Sequence, residues 1–137
     1  MIFYLDANIV LRLLLGTPED QSRQAAELFA QASQGRYKLV VHPAVLAEVI
    51  YVLLSPRQAG KERADIASAL RQLAALPGVE IGDLKQTLAG LSLFESTDLD
   101  WVDCLLLGCG QAGQVVSFDT EMVGLGARNP AEITAED

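Results

Sequence analysis

"MIFYLDANIVLRLLL", residues 1–15, decides the fold. Four β-prone residues, Ile2 to Leu5, stop at Asp6, and the apolar run from Asn8 to Leu15 reads as a buried helix. A strand that ends at an acid and passes into a helix is the start of a parallel-sheet unit. The same order recurs downstream. "KLVVH" (38–42) reads as a second strand, and Pro43 opens "PAVLAEVIYVLL", a helix apolar nearly all round and therefore expected to be buried. "PGVEI" (77–81) supplies a turn and a short strand, and "QVVSF" (114–118) reads as a fourth strand, ended by Asp119.

The intervening segments are helical. Thr17 is expected to cap a helix with Pro18 at its first position, Ala25, Leu28, Phe29 and Ala32 on its apolar stripe, and Gly35 as its stop. "KERADIASALRQLAAL" (61–76) is amphipathic, with Ile66, Leu70 and Leu73 inward. Leu84, Leu88 and Leu91 mark another helix, and Thr97 or Asp98 can cap one over residues 99–112. The tail "ARNPAEITAED" is polar and expected to be less ordered over residues 129–137. Strands separated by one or two helices predict an α/β sandwich with a mostly parallel central sheet flanked by helices. The absence of a linker, repeat or low-complexity segment predicts one domain over residues 1–137.

Composition narrows the function. Half of the 137 residues are hydrophobic and 20% are charged, which is ordinary globular usage. "MIFYLDANIV" lacks a basic start and meets an acid at position 6, unlike a signal peptide, and no apolar run is long enough for a bilayer span. A soluble, cytoplasmic protein without a membrane partner is expected. The formal charge of −8 argues against wrapping duplex DNA on a basic face, yet agrees with a carboxylate metal site. Cys104 and Cys109 fit neither a C-x-x-C pair nor a zinc site and read as buried reduced thiols. His42 is the single histidine, so a His-rich metal centre is excluded.

Five acids interrupt apolar segments. Asp6 and Asp119 each follow a short strand, where ligands gather in open parallel sheets, although an Asp in that place is also a common helix cap. Glu48 is the one charged residue in "PAVLAEVIYVLL", and a Glu among aliphatics should be neutralised or paired. In "STDLDWVDCLLLG" (96–108), Asp100 and Asp103 are i, i+3 neighbours on one helix face. Asp98 reads as a cap or a solvated acid, and Asp100 also suits the helix dipole. Carboxylates without histidine or thiolate are the ligand set of hard cations such as Mg²⁺, with Mn²⁺ as substitute. Such ions activate water and stabilise the leaving oxygen of a phosphoryl displacement. There is no P-loop, G-x-G-x-x-G or G-x-S-x-G motif. Ser117 and His42 lack the context of a serine hydrolase, and Gly108 and Gly110 read as sites of close packing.

In order and spacing, "FYLDANIVLRLLLGTPEDQSRQAAELF", "VVHPAVLAEVIYVL" and "DLDWVDCLLLGCGQAGQVVSFDTEM" together resemble the PIN-domain family, in particular the VapC-type toxins of toxin–antitoxin pairs, over nearly the whole chain. The resemblance places the family's acids on Asp6, Glu48, Asp103 and Asp119 as catalytic residues, with Asp6, Asp103, Asp119 and the accompanying Asp100 as metal ligands. Asn8 and Ser117 fall on its supporting polar positions. Ala7 stands where Thr or Ser is common, and Cys104 where Ala is common. It implies a Mg²⁺- or Mn²⁺-dependent endoribonuclease acting on RNA, often a tRNA or ribosomal RNA, as a homodimer silenced by an antitoxin. Arg12, about one turn beyond Asn8, is a candidate for phosphate or else an arginine snorkelling from an apolar helix. The alternatives are a catalytically silent PIN-like binding module and a receiver-like phospho-acceptor domain, where a mid-helix acid such as Glu48 has no role.

Overall fold

The computed structural model describes residues 1–110 and 113–135. Contacts divide the chain into two compact units, Met1–Leu84 and Lys85–Asp137.

The first unit holds β1 (Ile2–Tyr4), α1 (Ala7–Leu15), α2 (Glu19–Ser33), β2 (Lys38–Val41), α3 (Pro43–Leu54), α4 (Arg63–Ala75) and β3 (Val79–Ile81). The strands form a parallel sheet in the order β1-β2-β3, with Ile2 opposite Lys38 and Leu39 opposite Val79. The Leu5 N–H donates to the Val40 carbonyl at 3.0 Å, carrying the β1 pairing to the residue before Asp6. Helix pairs cross between successive strands, as parallel pairing requires, and α2 and α4 pack on the sheet. The core is aliphatic: Val10, Leu39, Val41, Leu46, Val49, Leu70 and their neighbours are almost completely buried.

Two expectations change here. Pro18 is itself the cap of α2, which starts at Glu19, so Thr17 lies outside the helix and Glu19 and Asp20 supply the first-turn acids. Helix α3 buries a single stripe, Leu46, Val49, Ile50 and Leu53, while Ala44, Glu48 and Tyr51 lie exposed. The 3.6-residue period separates Glu48 from the aliphatics that flank it in sequence, so its charge stays in water.

The second unit holds α5 (Leu84–Ser96, whose first residue belongs to the first unit), α6 (Trp101–Gly108), α7 (Thr120–Gly124) and α8 (Pro130–Thr134). Residues 111–112, inside the expected 99–112 helix, lie outside the described residues, as do 136–137 of the tail. Helix α5 buries Thr87, Gly90, Leu91 and Phe94; of the three leucines that marked it, Leu91 is buried while Leu84 and Leu88 are exposed. A side chain at Gly90 would press against the Trp101 ring and the Leu105 backbone at 3.2–3.3 Å, so the absence of a Cβ there lets α6 approach α5. Phe94 then meets Trp101 edge to face, with centroids 6.0 Å apart. Gly108 permits the same approach, since a Cβ there would lie 2.9 Å from the Gln86 carbonyl.

The fourth strand is absent as such. Residues 114–118 contribute one parallel bridge, Val116 with Arg128, and Val116 and Phe118 are exposed. The tail carries helix α8, capped by the Asn129 side chain. Cys104 is buried but Cys109 is exposed, which corrects the reading of two buried thiols. Among the described residues no helix is long and apolar enough to cross a membrane.

Candidate active site

In the first unit, the end of β1 delivers Asp6 as the cap of α1. Its backbone is extended, and Oδ1 accepts the Ile9 N–H at 3.1 Å. The helix-cap reading is therefore realised, and it does not exhaust the residue. No donor among the described residues reaches Oδ2, and the side chain is exposed. Asn8 and Arg12, i and i+4 on α1, line one cleft with Asp6. The Arg12 Nε donates to Gln21 Oε1 of α2 at 2.7 Å. Glu48 stands on the exposed face of α3, a helix capped by His42, whose Nδ1 accepts the Ala44 N–H. His42 is thus committed to its helix.

In the second unit, the peptide after Phe118 turns into α7 through two nested caps. The Asp119 N–H donates to Ser117 Oγ at 2.9 Å, and Asp119 Oδ1 accepts the Glu121 and Met122 N–H groups at 2.8 and 3.1 Å. Ser117 thereby fixes the backbone from which Asp119 projects. Asp100 begins α6 without making a side-chain cap bond, and Asp103 is half-buried in the first turn. Burial raises the Asp103 carboxyl above its ordinary value, and the charges of Asp100 and Asp119 raise it further. These three acids form one electrostatic group within the unit.

Three carboxylates, two of whose charges disfavour ionisation of the third, Asp103, offer the oxygen chemistry a hard divalent cation selects. Among the described residues, no three His, Cys, Asp or Glu side chains are gathered closely enough to hold a metal ion. Mg²⁺ commonly takes only one or two protein carboxylates and fills its shell with water and phosphate oxygens, so a three-ligand cage is not a requirement. The donor chemistry fits the cation.

Sequence reasoning missed Gln21 and Gln24, which line the Asp6–Arg12 cleft from α2. Glutamines on an exposed helical face carry no signal of their own; the pairing with Arg12 is visible only once α1 and α2 pack together.

No curated protein and no solved structure matches the chain. A family model does: the PIN domain matches residues 3–126, spanning β1 to the end of α7 and every acid described above. The chain belongs to the PIN-domain family, a family of nucleases that typically work with divalent metals.

Proposed function

We propose that the chain is a metal-dependent endoribonuclease that hydrolyses RNA phosphodiester bonds through Asp6, Glu48, Asp103 and Asp119, with Asp100 as an accompanying ligand. The observation that carries this reading is the set of acids at the starts of α6 and α7 in a PIN-domain chain: Asp103 lies half-buried, and its carboxyl is raised by that burial and then by the charges of Asp100 and Asp119. A bound Mg²⁺ or Mn²⁺ would supply charge stabilisation for the phosphate and a more acidic water.

The chain's own residues do the remaining work. Asp119 is held by three hydrogen bonds at Oδ1 and its backbone N–H, leaving Oδ2 as the donor oxygen. Asp6, capped at Oδ1, is constrained in the same manner. Pre-set carboxylates lose little freedom when they take up a cation. Asp103, whose carboxyl is raised by burial and by two neighbouring charges, gains from a nearby positive charge. Glu48, solvated and without a partner among the described residues, is available to accept a proton from water.

The toxin role, a cognate antitoxin, a homodimer, a tRNA or ribosomal RNA substrate and a cytoplasmic location extend the proposal through the resemblance to VapC-type toxins. The test is incubation of the purified chain with single-stranded and structured RNA in Mg²⁺, in Mn²⁺ and in EDTA, with Asp6→Asn and Glu48→Gln beside it. Cleavage that needs the metal and both acids supports the reading. RNA left intact in both metals would point to the silent binding module.

A further inference from the structure

The cleft between α1 and α2 meets the chemistry described above at Asp6 alone; its other lining residues have no part in that chemistry. It is lined by Asp6, Asn8, Arg12, Gln21 and Gln24 over an apolar floor that includes Leu28, with a volume of about 500 Å³. That volume lies within the range of small-ligand sites, roughly 300–1,000 Å³, and an apolar floor with a few convergent polar groups is their usual make-up. Among the described residues, Arg12 is the one cation in its lining.

Arg12 is half-buried, and the one hydrogen bond described for its side chain is the Nε donation to Gln21 Oε1 at 2.7 Å. That bond uses the inner nitrogen and leaves the two terminal amino groups of the fork for a ligand, the geometry that suits a phosphate. A solvated arginine would have to order its long side chain on binding; Gln21 has already done part of this. Asp6 caps α1 and Arg12 stands six positions further on, about 9 Å of helical rise between their Cα atoms, so the two border one cleft from different turns. The amides of Asn8 and Gln24 offer donors and acceptors together, as base edges do.

We propose that this cleft seats the nucleotide next to the scissile one, with Arg12 holding its phosphate and Gln21 acting as the positioning residue that aims Arg12. The proposal rests on the ribonuclease reading for its substrate class and adds the subsite through which the strand is gripped.

The test is fluorescence anisotropy of a short, labelled, mixed-sequence single-stranded RNA titrated with the full chain in EDTA at several salt concentrations. Wild type is compared with Arg12→Gln and Gln21→Leu, and thermal unfolding is recorded for each. Arg12→Gln is expected to weaken binding about tenfold, the loss of one charge-assisted contact. It should also make the slope of log K against log salt less negative by about 0.7, one phosphate's share on a single strand. Gln21→Leu should weaken binding several-fold with the slope unchanged, because the charge remains and only its aim is lost. Affinity and slope unchanged in Arg12→Gln, or no binding by wild type, would overturn the proposal; so would Arg12→Gln and Gln21→Leu that merely unfold earlier. Cleavage in Mn²⁺ is scored separately. Metal-dependent cleavage with KM unchanged in Arg12→Gln sinks the cleft and spares the nuclease reading. Arg12-dependent binding without cleavage does the reverse.

Discussion

Asp103→Asn replaces a carboxylate by a neutral amide of nearly the same shape, and the structure sets the sign of its effect on stability. The residue is the third of α6, where a negative charge gains about 0.3–1 kcal/mol from the helix dipole. Against that stand partial burial and the charges of Asp100 and Asp119, each partly screened repulsion being worth about 0.2–1 kcal/mol. The carboxyl is raised, so the unfavourable contributions win. Removing the charge should stabilise the metal-free protein by roughly 0.5–1 kcal/mol at neutral pH, a Tm gain of about 2–4 °C for a chain of this length. Because the folded value lies above the ordinary 3.8, the native state binds more protons than the unfolded state between the two. Wild-type stability therefore falls as pH rises through that window, and the advantage of the variant opens across it and closes again near pH 3, below the ordinary value. Thermal unfolding in EDTA from about pH 3 to 8 measures this, and added salt should shrink the gap. A variant less stable than wild type at pH 7, or a difference that ignores pH, would refute the electrostatic assignment.

Further outcomes follow from the same geometry. Glu48→Gln, on the exposed face of α3, should leave stability within about 0.5 kcal/mol while lowering RNA cleavage by about 10²- to 10⁴-fold, read by paired unfolding and cleavage assays. Asp119→Asn keeps a cap as good as Asp and should hold its Tm, whereas Asp119→Ala should lose about 0.5–2 kcal/mol; both should lose cleavage. Gly78→Ala should destabilise by about 1–3 kcal/mol in a denaturant titration, because Gly78 has φ +82° and a Cβ would run into the Ala32 backbone.

What the sequence disclosed was what local pattern controls. Strands at 2–5, 38–42 and 77–81 appear within a residue or two, since each is a short apolar run closed by an acid, a proline or a turn. Helix α4 buries the expected Ile66, Leu70 and Leu73. The failures are contacts at a distance. "QVVSF" has local β character, but strand formation needs a partner, and among the described residues Val116 finds one bridge with Arg128. Leu84, Leu88 and Leu91 marked helix α5 correctly, but of the three only Leu91 is buried, and the close approach of Trp101 at Gly90 could not be read from the leucines. The acids were legible as types, and the double use of Asp6 and Asp119 as caps was visible as an alternative; the structure shows the cap on one oxygen of each. Glu48 was singled out for burial it does not have, because a mostly apolar helix still exposes one face. Gln21 had no signal at all.

The central claim is that the acids serve a divalent cation, and the most direct test is calorimetric titration of Mn²⁺ into the wild-type chain and the Asp103→Asn variant at neutral pH. Saturable binding to wild type should be lost or weakened by at least tenfold in the variant, since burial and two neighbouring charges leave the Asp103 carboxylate in need of a counter-ion. Equal binding to both proteins, or none to wild type, would contradict it.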